Sequence, residues 1–284
     1  MTKKSVMRRQ GIADRNSHLT SLVTHRAWYN APASDRITVR TCVVTDPRTR
    51  DDLLTALSHG ACPLCVLLER AERKAVDMFL YDQVNDISRR DALRASRGLC
   101  LNHSFMLAEG RSALGVAILS RDILRTMTAE LEASVPNDAA LGWLRERLGS
   151  GAGAGLAARI EPQAGCPMCA ERPRIEAPLI MGLLHNLRDS AFAAAFDASA
   201  GLCRVHLAST LRAADTLAAR ALATRQAAIW RRLEADLDEF IRKHDYRFQG
   251  EAFDVERDVW RRALQTTSGW YAPTGDPPTK EGRS

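Results

Sequence analysis

The chain has 284 residues, 45% hydrophobic and 26% charged, a composition that suits a soluble globular protein with a sizeable core. No apolar run reaches the length of a membrane span, and Met1 to Arg15 is polar and basic without the apolar stretch of a secretory signal, so a cytoplasmic location is expected. The net charge of +6 does not argue for nucleic acid, because only five of the 40 basic residues are Lys and the Arg residues are interspersed with acids rather than gathered in a patch.

Residues 1–45 read as a basic, weakly ordered arm. Within it, Arg36 to Val44 has strand-like β-branched alternation and holds Cys42. From Asp51 the pattern turns helical. A short helix runs from Asp51 to His59 and closes at Gly60; a longer one follows from Pro63 to about Gln83, with Leu67, Leu68, Ala71, Ala75, Met78 and Phe79 at helical spacing. Ser88 with Asp91 opens a second helix that stops at Gly98. A third starts at Cys100 to His103, is interrupted near Gly110 and continues to about Ser134, and a short helix is expected around Trp143. Residues 149–163, rich in Gly and Ala, read as a flexible linker. Beyond it the pattern restarts and ends in one long helical run from Leu207 to about His244, followed by a Pro/Gly-rich tail over 269–284.

One constellation occurs twice. Cys62-Pro63-Leu64-Cys65 is followed by Gly98-Leu99-Cys100-Leu101-Asn102-His103; Cys166-Pro167-Met168-Cys169 is followed by Gly201-Leu202-Cys203-Arg204-Val205-His206. The two halves of each set are separated by nearly equal lengths, and six of the seven cysteines and two of the seven histidines are used, so an internal duplication is expected. A Cys-x-x-Cys turn presents two thiolates on one side of a tight loop, and a helix starting there lowers thiol pKa values. An outgoing helix of about 25 Å and a returning one of about 16 Å would bring the Cys-x-x-His pair back toward the start of its own unit. The expected cages are therefore Cys62, Cys65, Cys100 and His103, and separately Cys166, Cys169, Cys203 and His206. Three thiolates and an imidazole are a common structural zinc set, giving two zinc ions per chain. An iron–sulfur cluster or thiol-redox chemistry could use the same ligands, whereas disulfides fit poorly with a histidine recurring in each set.

Other candidates are thinner. Glu69 and Glu72, one and two turns after Cys65, and Glu176, which matches Glu72, could orient a ligand or bind a second metal through carboxylates; the favoured reading makes them ion-pair partners of Arg70 and Arg73 on a solvated face. Pro173 and Pro178 predict a late start or a kink in the outgoing helix of the second copy. Met78, Met106, Met127 and Met181 read as core filler.

With the closing segment Phe240-Ile241-Arg242-Lys243-His244-Asp245-Tyr246-Arg247-Phe248, the doubled motif resembles an uncharacterised family of bacterial cytoplasmic proteins, a domain of unknown function. The resemblance covers roughly residues 50–270 and implies metal binding and a helical fold, with no activity to carry over. The segment 243–258 has two readings of its own. Lys243, His244, Asp245, Tyr246, Arg247, Glu256 and Asp258 could line a site for an anionic ligand, making the protein an enzyme centred on His244 and Asp245; alternatively they cap a long helix and fasten the chain that follows.

The expectation is thus an all-α protein of two pseudo-repeated helical units, residues 46–148 and 164–268, each tied by a Cys3His site, with a long C-terminal helix. Its leading function is a zinc-stabilised scaffold or interaction protein without catalysis. No partner protein is specified by the sequence, and self-association stays open; membrane and nucleic-acid partners are not expected.

Overall fold

The computed structural model describes residues 47–110, 112–133, 152–248 and 250–269, all within one compact unit, Val44–Ser284. Among these residues the secondary structure is entirely helical: α1 (Pro47–Leu57), α2 (Pro63–Asp82), α3 (Ile87–Ala95), α4 (Leu101–Glu109), α5 (Ala113–Glu132), α6 (Ala152–Ile160), α7 (Pro167–Asn186), α8 (Ser190–Ala198), α9 (Arg204–Ala213), α10 (Thr216–Lys243), a 3₁₀ turn (Tyr246–Phe248) and α11 (Val259–Ser268). The strand-like stretch 36–44, Cys42 and the helix expected around Trp143 lie outside the described residues.

The duplication is plain in the helix lengths. Each repeat has a 20-residue helix opened by a Cys-Pro, α2 or α7, then a nine-residue return, α3 or α8. Asp86 and Asp189 cap the two returns by accepting hydrogen bonds from the backbone N–H groups of Arg89 and Phe192. At 1.5 Å per residue the return is about 16 Å shorter than the outgoing helix. The Cys-x-x-His pair is therefore delivered not to the start of its own repeat but to a level about halfway along it.

The packing of the two repeats follows from that shortfall. α2 and α7 make the most extensive helix–helix contact of the fold and run antiparallel, so the start of each lies beside the middle of the other. The apolar cores cross the repeats in the same way. One gathers Leu53, Leu64 and Leu67 of α1 and α2 with Leu183, Phe192, Phe196 and Leu202 of the second repeat. The other joins Val76, Phe79, Leu93, Met106 and Leu119 to Met168, at the start of α7. Burying one fully sequestered Phe or Leu contributes about 1.5–3 kcal/mol, so the contact between the repeats adds to the stability of the shared core around Leu64 and Phe192.

Four sequence expectations change. The Gly/Ala stretch is not a free linker: Ala152–Ile160 is helical and packs on α5, the backbone N–H of Gln163 donates to Ala95 O at 2.8 Å, and Arg97 donates to Arg159 O at 2.7 Å. Its alanines offset the helix cost of Gly153 and Gly155. The long C-terminal run is two helices, because Asp215 caps a new start by accepting from Ala218 N and ends α9 at Ala213. The helix α7 begins at Pro167, directly after Cys166, and carries Pro173 and Pro178 inside it, so the late start does not occur. Of the four methionines assigned to the core, Met106 is buried, whereas Met78 and Met181 are exposed.

Candidate metal centres

All eight ligand residues stand at equivalent local positions. Cys62, Cys100, Cys166 and Cys203 are the N-cap residues of α2, α4, α7 and α9, and each partner ligand lies three residues on, in the first turn. These are the two positions from which a capping residue and a first-turn side chain ordinarily reach toward each other. Proline fits at the first helical position because the N–H it lacks has no intrahelical acceptor. The free backbone N–H groups of the first turn favour negative sulfur, and His206 N donates to Cys203 Sγ at 3.4 Å. The three-residue spacing of Cys-x-x-His presents Nδ1, the ring nitrogen nearer the backbone, to the sulfurs of both centres.

The centres assemble across the repeats. The first consists of Cys62, Cys65, Cys203 and His206; the second of Cys100, His103, Cys166 and Cys169. This corrects the grouping expected from the sequence, in which each repeat closed its own cage. The helix lengths explain the difference, since α3 and α8 end too early to bring Cys100 and Cys203 home and the antiparallel neighbour offers its Cys-Pro-x-Cys turn at that level.

Each group of four outlines a tetrahedron. In the first centre His206 Nδ1 lies 3.4, 3.2 and 3.3 Å from the sulfurs of Cys62, Cys65 and Cys203, with Cys65 and Cys203 Sγ 3.7 Å apart. In the second, His103 Nδ1 lies 3.2, 3.7 and 3.4 Å from Cys100, Cys166 and Cys169, with Cys100 and Cys169 Sγ 3.6 Å apart. Bonds of about 2.3 Å to sulfur and about 2.05 Å to nitrogen around a tetrahedral ion give edges of about 3.8 and about 3.5 Å. The donor sets therefore fit a single ion of that size, and each group can hold a metal.

Without metal the charges settle on few atoms. In the first centre, hydrogen bonds from Cys62 and Cys65 hold the Cys203 thiol far below its ordinary range, and the same sharing, aided by burial, drives Cys65 far up. In the second, Cys100 and Cys169 do the same for Cys166, while Cys169 is driven up. Burial works against charge on His103 and His206, but hydrogen bonds to the neighbouring sulfurs outweigh it and raise both imidazoles to about 10. A metal-free centre thus stores protons that a bound ion must displace.

Two carboxylates lie beside the centres, as the ligand-orienting alternative has it, rather than on a solvated face. Glu72 is only 5% exposed, and its Oε2 lies 3.9 Å from His103 Nε2 while its Oε1 accepts from Arg172 at 3.2 Å. Glu176, ten residues after Cys166 as Glu72 is after Cys62, has Oε1 3.9 Å from His206 Nε2. Their periodicity allowed a solvated face, but the contact of α2 with α7 buries Glu72 and half-buries Glu176. Glu69 does pair with Arg73 as expected.

The centres differ in cover. Cys62, Cys65 and Cys203 are buried, whereas Cys100 and Cys169 are partly exposed. The end of α11 closes over the first centre, with Arg204 donating to Thr267 O at 2.9 Å and Gly269 O lying 3.6 Å from Cys65 Sγ.

In the polar segment, Lys243 donates to the buried Glu256 at 2.6 Å and to Ala252 O at 2.8 Å, and this lysine holds the Glu256 carboxyl down at about 2. Asp245 pairs with Arg247 at 2.8 Å, Asp258 with Arg262 at 3.1 Å, and Arg242 with Glu239 and Glu251. The ring of His244 packs against Phe240 and Phe253, with Nδ1 donating to Phe240 O at 2.8 Å. These groups satisfy one another and bind the turn after α10 to the helix end; Tyr246 is exposed.

No solved structure matches the chain. Among curated proteins, an "Uncharacterized 23.9 kDa protein in xynA 3'region" from Caldicellulosiruptor sp. (strain Rt8B.4) is 36% identical over 74 residues, which is 26% of this chain and 36% of that protein. A family model described as "Family of unknown function (DUF6062)" matches residues 55–274, a span that takes in all eight candidate ligands, Glu72 and Glu176. The chain belongs to this family of unknown function.

Proposed function

We propose that the protein is a cytoplasmic zinc-stabilised helical scaffold whose two Cys3His centres are structural and whose surface serves binding to a protein partner. The observation that carries this reading is the donor geometry: each centre supplies four soft or borderline ligands at the corners of one tetrahedron, within 4.8 Å of one another. Four protein ligands complete the coordination of zinc and leave no position for the water that a hydrolytic zinc activates. An iron–sulfur cluster fits less well, because its ligands bond to different irons and stand farther apart than around one ion. The enzyme reading around His244 and Asp245 loses support from the internal pairing of those groups.

Metal analysis of anaerobically purified protein tests the proposal. About two zinc ions per chain and a colourless solution are expected; iron with sulfide and a brown colour would overturn it in favour of redox chemistry.

A further inference from the structure

Each histidine of the centres has a second ring nitrogen to account for. Nε2 of His103 and Nε2 of His206 are both buried without a hydrogen-bond partner, and so is Oε1 of Glu176. Isolated buried polar atoms are costly, so a pair of them facing each other is informative. Glu176 Oε1 and His206 Nε2 are 3.9 Å apart, and Glu72 Oε2 stands at the same distance from His103 Nε2. That separation exceeds a hydrogen bond by about 1 Å, within the swing of a glutamate side chain. Once Nδ1 holds a metal, Nε2 must carry the proton, and the carboxylate is the acceptor it faces.

The arrangement has a consequence for the whole molecule. The helix α2 supplies Cys62 and Cys65 to the first centre and Glu72 to the histidine of the second; α7 supplies Cys166 and Cys169 to the second and Glu176 to the histidine of the first. Every long helix of the antiparallel pair therefore touches both centres, about 15 Å apart along its axis. We propose that Glu72 and Glu176 are positioning residues that accept the Nε2–H of His103 and His206, and that through them the two centres bind metal cooperatively. The inference rests on the metal-binding reading above. The two glutamates are not equivalent: Arg172 holds Glu72 at 3.2 Å, whereas no hydrogen bond holds Oε1 of Glu176. Binding at the first centre therefore depends more on its neighbour for alignment.

The test is competitive titration of the full-length metal-free chain with zinc against a chromophoric chelator, comparing wild type with Glu72→Ala, Glu72→Gln, Glu176→Ala and Glu176→Gln. Each Ala variant is expected to weaken one of the two zinc ions by about 10–100-fold. Gln, whose carbonyl oxygen still accepts the Nε2–H, restores most of the affinity. Nitrogen NMR of the histidine rings, which a purely structural role would not alter, is expected to show a protected Nε2–H in wild type and in the Gln variants and its loss in the Ala variants. Cys203→Ser, which disables the first centre, is expected to weaken zinc at the second by tenfold or more. Two zinc ions held by both Ala variants within about twofold of wild type, or a second centre indifferent to Cys203→Ser, overturns this inference alone. A wild-type chain that takes up no zinc overturns the metal reading with it.

Discussion

The glycines of the two Gly-Leu-Cys motifs look interchangeable in the sequence, yet the structure makes them unequal. Gly201 has φ +66°, and a Cβ there would lie 2.7 and 2.8 Å from the amide atoms of Gln226 and 2.9 Å from Ile229 Cδ1. Gln226 is fully buried, and its Oε1 accepts the backbone N–H of Leu202 at 2.8 Å. Gly201→Ala therefore adds a left-handed backbone cost of about 1 kcal/mol, overpacking of about 1–3 kcal/mol, and about 1–3 kcal/mol for the Leu202 N–H once Gln226 is pushed aside. The sum is near 5 kcal/mol in order of magnitude. Gly98 has φ +111° and meets nothing closer than Ile123 Cδ1 at 3.8 Å. Gly98→Ala thus carries backbone strain of about 2 kcal/mol without the steric part. At about 2–4 °C per kcal/mol for a unit of this size, thermal unfolding followed by circular dichroism of the zinc-loaded protein should fall by about 10–20 °C for Gly201→Ala and about 4–8 °C for Gly98→Ala. Equal losses, or the larger one at Gly98, would refute the reasoning that Gln226 rather than the motif sets the demand.

Metal affinity should rise steeply with pH between about 6 and 8, because both histidines are held as imidazolium up to about 10 and one thiol in each centre, Cys65 or Cys169, is driven far up in the metal-free state. Calorimetry in buffers of different ionisation enthalpy should show about two or more protons released per ion, one from the histidine and one from the raised thiol; release near zero would contradict the charge assignment. The Lys243–Glu256 pair makes a second pH statement. The Glu256 carboxyl is depressed from 4.5 to about 2, so its contribution is present above about 4.5 and is lost as pH falls toward 2. Glu256→Gln should accordingly lower the melting temperature at pH 7, with the gap to wild type closing as pH drops through that window; a gap that persists at pH 2 would show that the ion pair is not its source.

Much of the fold was legible because it rests on local signals. The prolines after Cys62 and Cys166 and the left-handed glycines mark helix ends independently of what those ends later touch, whereas the caps were read less well: Asp86 rather than Ser88 caps α3, and Asp215 divides the expected long run. All eight metal-ligating candidates were legible too, since their chemistry is written in residue type. The pairing of half-sites was not. A Cys-Pro-x-Cys turn joined to either Cys-x-x-His yields the same three sulfurs and one nitrogen, so composition cannot choose between them. The decision lies in the difference between a 20-residue and a nine-residue helix, visible in the sequence as the mismatch between an outgoing helix of about 25 Å and a return of about 16 Å. The choice between a ligand-orienting role and a solvated face for Glu72 and Glu176 was open for a related reason: periodicity shows that they share a face, but which face is covered depends on the antiparallel contact of α2 with α7. In the Gly/Ala stretch 149–163, local composition pointed to a linker, and tertiary contacts with α5 and Ala95 prevailed over Ala152–Ile160 and Gln163.

The crossing of the repeats is the central claim, and paired ligand replacements test it directly by metal content. Cys62→Ser with Cys203→Ser removes two ligands from one centre and should leave about one zinc ion per chain, bound by Cys100, His103, Cys166 and Cys169. Cys62→Ser with Cys100→Ser damages both centres and should leave close to none. The opposite pattern, one ion retained by the second pair of replacements and none by the first, would mean that each repeat closes its own cage and that the crossed arrangement is wrong.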